Sequence, residues 1–216
     1  MTFGVIFDMD GVLVDSAEAH KQSWELLAKE YGHPMSPGLF RETFGQTSDK
    51  ILPRVFEREL TPEEIRKYGE RKEELYRDIV RGEIQPLPGV VPLILGLFQK
   101  GWKIGVGSSG PKLNVNLVIE ELGIDSMVSA RTCSEDVSRG KPHPEVFLTV
   151  AEQFGVPPKQ CVVVEDSIHG LQAAKNAEMK CIAITTTEPR NNLESADIVI
   201  DSFEEISPAD VEDLMR

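Results

Sequence analysis

The chain has few cysteines and none of the paired spacings that hold structural metals or disulfide frameworks. Its 216 residues include three cysteines, Cys133, Cys161 and Cys181. This odd number, without His or Cys partners at zinc spacing, argues against a disulfide scaffold and a zinc site. Cys161 and Cys181 begin apolar runs, so the cysteines are predicted to be reduced packing residues of an intracellular protein.

Basic residues are also scarce: 23 Lys and Arg stand against 36 Asp and Glu, a net charge of −13. This balance argues against nucleic acids and anionic membranes as main partners. It does not exclude a small anionic substrate, because a local lysine and a metal ion can bind such a substrate whatever the net charge of the chain.

Long hydrophobic runs and nucleotide-binding loops are absent as well. The most apolar helix-like run, Val90 to Phe98, is too short to span a bilayer. The first residues show no basic segment followed by a long apolar stretch, so we expect a cytoplasmic protein. Neither Gly-x-x-x-x-Gly-Lys-Ser/Thr nor Gly-x-Gly-x-x-Gly occurs, which leaves nucleotide-type phosphate loops unsupported.

The most informative stretch is a short apolar run, Phe3–Phe7, followed by Asp8, Met9, Asp10 and Gly11. The run predicts a buried strand, and alternation places Asp8 and Asp10 on the same side where the strand ends. Two such close carboxylates suit a nucleophile and a general acid/base, with a hard cation such as Mg²⁺ screening their charges. The alternative is a strand-end turn whose carboxylates cap backbone amides.

The next part of the chain, residues 15–87, is predicted to be an all-helical insertion. Thr61, Pro62 and Glu64 form a strong helix start, with an N-cap, a first-turn proline and a capping-box glutamate. The predicted helices run from a cap at Asp15–Ser16 to about Tyr31, over Leu39–Phe44 and Asp49–Phe56, and from Thr61 to Val80 or Arg81.

After Pro86–Gly89 the pattern changes to alternating helices and strands. Helices are predicted at Val90–Gln99, Lys112–Leu122, Glu145–Phe154 and Ile168–Asn176, with a short one at the end. Strands are predicted at Trp102–Gly107, Met127–Ala130, Cys161–Val164, Cys181–Thr185 and Asp197–Ile200. This order predicts an α/β fold with a doubly wound parallel sheet, formed by residues 1–14 and 88–216.

Ligands of such sheets bind beyond the carboxyl ends of the strands, and polar residues follow several of them. They are Ser108, Ser109 and Gly110 after one strand, Lys141 in a Gly-Lys-Pro loop, and Glu165 with Asp166 after another. The two serines and Gly110 are suited to bind phosphate oxygens, and Lys141 could balance the negative charge. Glu165 and Asp166 could supply oxygen ligands for Mg²⁺. The structural alternatives are helix N-caps at Ser108, Ser109 or Ser167, and a solvated Lys141.

Four motifs in order resemble the haloacid dehalogenase superfamily of aspartate-nucleophile phosphotransferases. They are the stretches Phe7–Val14, Val106–Ser109, Gly140–Pro144 and Val163–Ser167. The resemblance covers the whole chain and implies a Rossmann-like core with a helical cap domain, residues 15–87, inserted after the first motif. A signalling receiver domain also surrounds a phosphorylated aspartate with such residues, but it lacks a helical insertion there.

The resemblance implies a role for each matching residue. Asp8 would become the aspartyl-phosphate, Asp10 would act as acid/base, and Ser108 and Lys141 would bind the phosphoryl group. Gly11, Ser109 and Gly110 would contact the substrate. Mg²⁺ would be held by Asp8, the backbone carbonyl of Asp10, and Asp166 with Glu165 nearby. The second aspartate favours phosphoryl transfer over carbon–halogen cleavage.

Within the superfamily the chain resembles the phosphoglycolate phosphatase and β-phosphoglucomutase branch. His20, the loop Gly45–Ser48 and Lys72 resemble cap residues of the mutase. Mutases of this kind carry an arginine in that loop, and the matching position here is Ser48. The resemblance therefore favours a monomeric phosphatase of small phosphorylated metabolites, with the mutase as the alternative. His20 has a structural alternative, as a packing or exposed residue of its helix.

Overall fold

The computed structural model describes residues 2–36, 38–43 and 47–216 of the chain. The chain divides into two compact units. The first, here called the α/β unit, is the segment up to Asp15 together with Ile84–Arg216. The second, the helical unit, is Ser16–Glu83. The role of the helical unit as a cap domain remains a prediction.

The described residues of the helical unit form four helices: α1 Ala17–Glu30, α2 Leu39–Thr43, α3 Ser48–Val55 and α4 Pro62–Val80. The capping box predicted for α4 is present: Thr61 Oγ1 accepts from Glu64 N at 3.3 Å, and Glu64 Oε2 accepts from Thr61 N at 2.9 Å. Of the cap predicted at Asp15–Ser16, the Ser16 part is wrong, because the Ser16 side chain makes no capping hydrogen bond to α1.

The core of the helical unit forms where α1 packs against α3 and α4. The apolar face of α1 is buried at Trp24, Leu27 and Ala28. Phe56 and Tyr68 stack at 4.5 Å between ring centroids and extend this core. Because isolated helices of this length are marginal in water, burial of this face is what holds the helices together.

The α/β unit is built on a six-stranded, fully parallel sheet in the order β3-β2-β1-β4-β5-β6. This confirms the predicted fold class. The strands are β1 Gly4–Phe7, β2 Lys103–Gly107, β3 Val128–Thr132, β4 Cys161–Glu165, β5 Lys180–Ile184 and β6 Ile198–Ile200.

Helices connect the strands, and apolar clusters form the two cores of the unit. Val5 and Phe7 belong to one cluster and Ile6 to the other, so β1 is buried on both faces, as expected of a central parallel strand. The helices are α5 Val90–Gln99, α6 Lys112–Glu121, α7 Glu145–Phe154, α8 Ile168–Asn176, α9 Arg190–Leu193 and α10 Pro208–Leu214.

The predicted bounds of α5, α7 and α8 are confirmed, and those of the strands shift by one or two residues. β4 includes Glu165 because its backbone pairs with Ala183 of β5, and its side chain is fully buried. The short helix α9 was not predicted. Cys133, Cys161 and Cys181 are free and buried, in agreement with a packing role. Within the described residues, none of the helices has the length and apolarity needed to cross a membrane.

Candidate active site

The central position of β1 determines where the candidate residues meet. Phe7 pairs with Val106 of β2 on one side and with Val164 of β4 on the other. Asp8, which follows β1, donates its backbone N–H to the carbonyl of Val164 at 2.9 Å. Side chains that follow β1, β2 and β4 therefore emerge next to one another at the carboxyl edge of the sheet.

Lys141 lies between two carboxylates of this edge. Its Nζ is 2.8 Å from Asp8 Oδ1 and 2.5 Å from Glu165 Oε1. The side chain is only 7% exposed, and Nζ also lies 4.9 Å from the centroid of the Phe147 ring. The interpretation of Lys141 as a solvated surface residue is therefore wrong.

Glu165 is held by the backbone that follows it. Its Oε2 accepts hydrogen bonds from Asp166 N at 2.9 Å, Ser167 N at 3.0 Å and Ser167 Oγ at 2.9 Å. Its other oxygen accepts from Lys141. Glu165 thus fixes the lysine that faces Asp8, a contact that the sequence reasoning did not foresee. Its predicted role as a metal ligand remains a prediction.

Burial is the main cause of the pKa shifts of Asp8 and Asp166. It raises the pKa of Asp8 to about 7, an effect that Lys141 opposes and that Glu165 and Asp10 reinforce. Burial likewise raises the pKa of Asp166 to about 8, with added repulsion from Glu165 and Asp8. For Lys141, burial lowers the pKa, but Asp8 and Glu165 outweigh it and hold the pKa above its ordinary value. The lysine therefore stays charged.

The turn after Asp8 brings the backbone of Gly11 against Asp166. The Gly11 N–H donates to the Val14 carbonyl at 2.8 Å, and Gly11 has a φ of +73°. A Cβ at this position would lie 1.9 Å from Asp166 Oδ2. No side chain fits there, so a glycine is required for the turn that carries Asp10 to approach Asp166.

Ser108 and Gly110 form a second wall near Asp10. Ser108 is buried, and its Oγ accepts from Gly110 N at 2.9 Å. A Cβ at Gly110 would lie 3.2 Å from Ser108 Oγ and 3.8 Å from Asp10 Oδ2. Asp10 and Ser108 therefore face the same small region above β1 and β2.

The N-capping alternative for the two serines is wrong. The N-cap of α6 is Pro111, and the backbone N–H of Lys112 donates to both oxygens of Glu135, at 3.1 and 3.0 Å. Ser109 is exposed at the carboxyl edge. By contrast, Ser167 does cap α8, since its Oγ accepts from Gly170 N at 3.0 Å.

The loop that carries Lys141 is fixed from both sides. Glu145 accepts from Ser138 N at 2.8 Å and from Arg139 N at 3.1 Å. Asn176, at the end of α8, donates its Nδ2 to the carbonyl of Pro142 at 2.9 Å. The Lys141–Pro142 peptide bond is cis.

Two of the predicted cap residues lie together inside the helical unit. Lys72 is 3% exposed, and its Nζ lies 2.7 Å from His20 Nδ1 and 2.9 Å from Glu73 Oε1. The His20 ring stacks on Tyr76 at 4.1 Å. With a charged Lys72, Nδ1 accepts and the proton of a neutral His20 is on Nε2.

The remaining cap candidates have simpler surroundings. Ser48 begins α3 and lies against Gly69 of α4, where a Cβ would be 3.7 Å from Ser48 Oγ. Gly45 and Gln46 of the predicted loop lie outside the described residues. Arg54, a possible replacement for the arginine of mutases, is ion-paired with Glu42 at 2.5 Å.

Comparison with known proteins then identifies the family. The family described as haloacid dehalogenase-like hydrolase matches residues 5–184, which include all four motifs. The chain belongs to this family. Its six-stranded sheet and the position of Asp8 after the central strand are consistent with that assignment.

Named relatives of this haloacid dehalogenase-like hydrolase include phosphatases. It is 29% identical to the chloroplastic 5-amino-6-(5-phospho-D-ribitylamino)uracil phosphatase of Arabidopsis thaliana, over 98% of this chain but only 57% of that protein. It is 27% identical to the validoxylamine A 7'-phosphate phosphatase of Streptomyces hygroscopicus subsp. limoneus, over 93% and 94% of the two chains. These relatives support its assignment as a phosphoric monoester hydrolase.

Among solved structures, the chain is similar to the β-phosphoglucomutase of Clostridium difficile. The TM-score is 0.84 and the sequence identity 27%, covering 100% of this chain and 97% of the other. A mutase of the same family thus shares the fold of this haloacid dehalogenase-like hydrolase.

The acidic residues of the site fit a hard divalent cation. Asp8, Glu165 and Asp166 are all buried, and each offers a carboxylate oxygen within 4.8 Å of the others. Lys141 brings one positive charge to these three carboxyl groups, so it cannot balance all of them when they are ionised. Oxygen ligands and excess negative charge are what Mg²⁺ binding requires.

Gly170 is a further residue that the sequence reasoning missed. It lies in the first turn of α8, and a Cβ there would be 1.8 Å from both Cδ and Oε1 of Glu165. Since Glu165 is fixed by Lys141 and Ser167, its side chain cannot easily move to accommodate a Cβ at Gly170. A glycine near a helix start is the only signal in the sequence.

We expect Gly170→Ala to lower the activity of the enzyme about 10- to 100-fold, because it displaces Glu165 and with it Lys141. The measurement is kcat/KM for the best substrate. Gly69→Ala is the matched control: a Cβ there meets only Ser48 at ordinary contact distance, 3.7 Å. It should leave activity unchanged and add about 0.4–1 kcal/mol of stability. Equal activities of the two variants would contradict this packing argument.

Proposed function

We propose that this hydrolase cleaves the phosphate monoester of a small metabolite, of the sugar phosphate or phosphoglycolate type, through a phosphorylated Asp8. The observation that carries the proposal is the buried pairing of Asp8 with Lys141 at 2.8 Å, beside Asp166 and at the carboxyl edge of the central strand. A carboxylate placed beside a fixed cation suits attack on a phosphoryl group, whose own charge would otherwise repel it.

In the first step, an oxygen of Asp8 attacks phosphorus and the bond between phosphorus and the leaving alcohol oxygen breaks. Asp10 donates a proton to that oxygen. In the second step, Asp10 accepts a proton from water as the water oxygen attacks the same phosphorus. The bond from phosphorus to Asp8 then breaks, which releases inorganic phosphate and restores both carboxyl groups.

The other residues position and neutralise the phosphoryl group. Lys141 supplies a fixed positive charge, and Glu165 holds its ammonium group in place at 2.5 Å. Within the described part of the chain, the Ser108 hydroxyl accepts from Gly110 N and donates to no other group, so its O–H is available to a phosphoryl oxygen. Such positioning and charge neutralisation supply most of the rate enhancement in phosphoryl transfer.

Mg²⁺ is the proposed cofactor, and Asp8, Asp166 and the Asp10 carbonyl are its proposed ligands, with Glu165 nearby. When bound, it would neutralise charge on the phosphoryl group during transfer. Because burial raises the pKa values of Asp8 and Asp166, protons compete with Mg²⁺ for the carboxylate oxygens. We therefore expect Mg²⁺ to bind more weakly as the pH falls.

A phosphosugar mutase is the second candidate, favoured by the similarity to β-phosphoglucomutase and by the buried contact between His20 and Lys72. Two features weigh against it. By the sequence resemblance, Ser48 stands where mutases carry an arginine, and in the structure Arg54 is paired with Glu42. The hydrolase therefore remains the preferred assignment. A cytoplasmic location and a monomeric state remain predictions.

The test is Mg²⁺-dependent phosphate release across a panel of sugar phosphates, phosphoglycolate and β-glucose 1-phosphate. We expect release from at least one of them, and its loss when EDTA removes the metal. A parallel assay follows conversion of β-glucose 1-phosphate to glucose 6-phosphate with the bisphosphate primer present. Isomerisation with little free phosphate would overturn the hydrolase assignment in favour of the mutase.

A further inference from the structure

Three consecutive threonines follow β5, and each of their hydroxyl groups has a different partner. Thr185 Oγ1 donates to Asp201 Oδ1 at 2.7 Å, next to β6. Thr186 Oγ1 donates to the backbone carbonyl of Gly11. Thr187 Oγ1 lies beside Gly11 and the Asp166 carboxylate, and its interaction with that carboxylate lowers the pKa of Asp166 against the effect of burial. One short segment thus contacts the sheet edge, the turn after β1 and the acid after β4.

The geometry around Gly11 shows how closely these groups meet. The position of a Cβ at Gly11 lies 1.9 Å from Asp166 Oδ2 and 3.0 Å from Thr187 Oγ1. The Asp166 carboxylate and the Thr187 hydroxyl therefore both lie against the same side of the Gly11 backbone. Because Thr187 is at the surface, its hydroxyl is not needed to fill the core.

The sheet order explains why this contact is not a local turn interaction. β4 lies between β1 and β5, so a segment that follows β5 has to pass beyond the end of β4 to reach Gly11. The bond from Thr186 to the Gly11 carbonyl anchors it there. Thr187 is the next residue of the chain, so this anchor places it beside Asp166.

We propose that Thr187 is a positioning residue that orients the Asp166 carboxylate for the divalent cation, with Thr186 anchoring the segment to the turn after Asp8. The proposal rests on the function proposed above. The Thr187 hydroxyl donates to one lone pair of Asp166 and selects its rotamer, so the remaining lone pairs face Asp8 and Glu165. Without that donor, the carboxylate gains rotational freedom that cation binding has to remove.

The test is direct cation binding by the full chain without substrate, with Mn²⁺ as the probe and free Mn²⁺ followed by electron paramagnetic resonance. Thr187→Val keeps the shape and removes the donor, and we expect it to raise the Kd for Mn²⁺ about 10-fold or more. Thr187→Ser keeps the donor and should restore the Kd to within about twofold of wild type. A purely structural role would not separate the two variants in this way.

Thr185→Val is the matched control, since it removes a hydroxyl from the same segment but one that bonds to Asp201. Its Kd should equal that of the wild type. Equal Kd values for Thr187→Val and wild type would overturn the positioning role and leave the proposed hydrolysis intact. If the wild type binds no Mn²⁺, both the positioning role and the proposed cofactor are wrong. An equal loss in Thr185→Val would show a general effect of the segment, which also overturns it.

Discussion

Asp8→Asn is expected to lower phosphate release about 10⁴-fold or more, because the amide is a poor nucleophile and the proposed reaction has no second route to its covalent intermediate. The side chain keeps its size, so packing against Lys141 and Val164 is preserved. The loss should appear in kcat at saturating substrate, and the thermal midpoint should stay within a few degrees of wild type. More than a trace of Mg²⁺-dependent turnover would contradict the assignment of the nucleophile.

Two comparisons separate loss of the nucleophile from general damage. Asp125→Asn is the matched control: Asp125 precedes β3, at the amino end of the sheet, and pairs with Arg131 at 2.9 Å. It should keep full activity. In Asp10→Ala, Asp8 remains able to accept the phosphoryl group while water activation is lost. Phosphorylated protein should therefore accumulate in that variant and be absent from Asp8→Asn, as checked by intact-protein mass spectrometry.

The order of elements and the strand-end residues could be read from the sequence because both depend on local patterns. Apolar runs of four or five residues mark the strands, and helix-length connections between them require parallel pairing. Parallel pairing in turn places the ends of β1, β2 and β4 at one edge. Asp8, Ser108, Glu165 and Asp166 follow from that placement without knowledge of any side-chain contact.

What the sequence could not supply are contacts between side chains far apart in the chain. Lys141 and Glu165 are 24 residues apart, and only the folded sheet shows that the acid holds the lysine. Thr187 matters for the same reason, since it follows β5 and lies beside Asp166, which follows β4. Gly170 is close to Glu165 in the chain, but only the folded structure shows that a Cβ there would meet the Glu165 carboxyl group. The capping alternative at α6 fails for a similar reason: Glu135, 23 residues after Lys112, accepts from the helix start instead of Ser108 or Ser109.

Lys141→Met is expected to destabilise the metal-free protein by about 3–5 kcal/mol at pH 7.5, since it leaves buried carboxylates without their cation. Methionine fills a similar volume, so the loss is electrostatic. The pH dependence has a definite sign. Asp8 already has a pKa raised to about 7 by burial, and loss of Lys141 raises it further. Protonated Asp8 carries no penalty for burial, so the contribution of Asp8 to stability is fully present below about pH 4. This contribution is lost as the pH rises through the pKa that Asp8 has in the folded protein.

Urea unfolding in EDTA at pH 5 and pH 7.5 measures this effect, and the destabilisation should be clearly smaller at pH 5. The double variant Lys141→Met/Glu165→Gln removes one of the two unbalanced carboxylates, so it should recover about 0.5–3 kcal/mol relative to Lys141→Met alone. Glu165→Gln alone completes the double-mutant cycle, which isolates the interaction energy between the two residues. Equal stability of Lys141→Met and wild type at pH 7.5 would contradict a charged lysine buried between Asp8 and Glu165. Because Lys141 is also proposed to neutralise the phosphoryl group that Asp8 receives, the charge that stabilises the folded protein is the one that prepares the site for an anionic substrate.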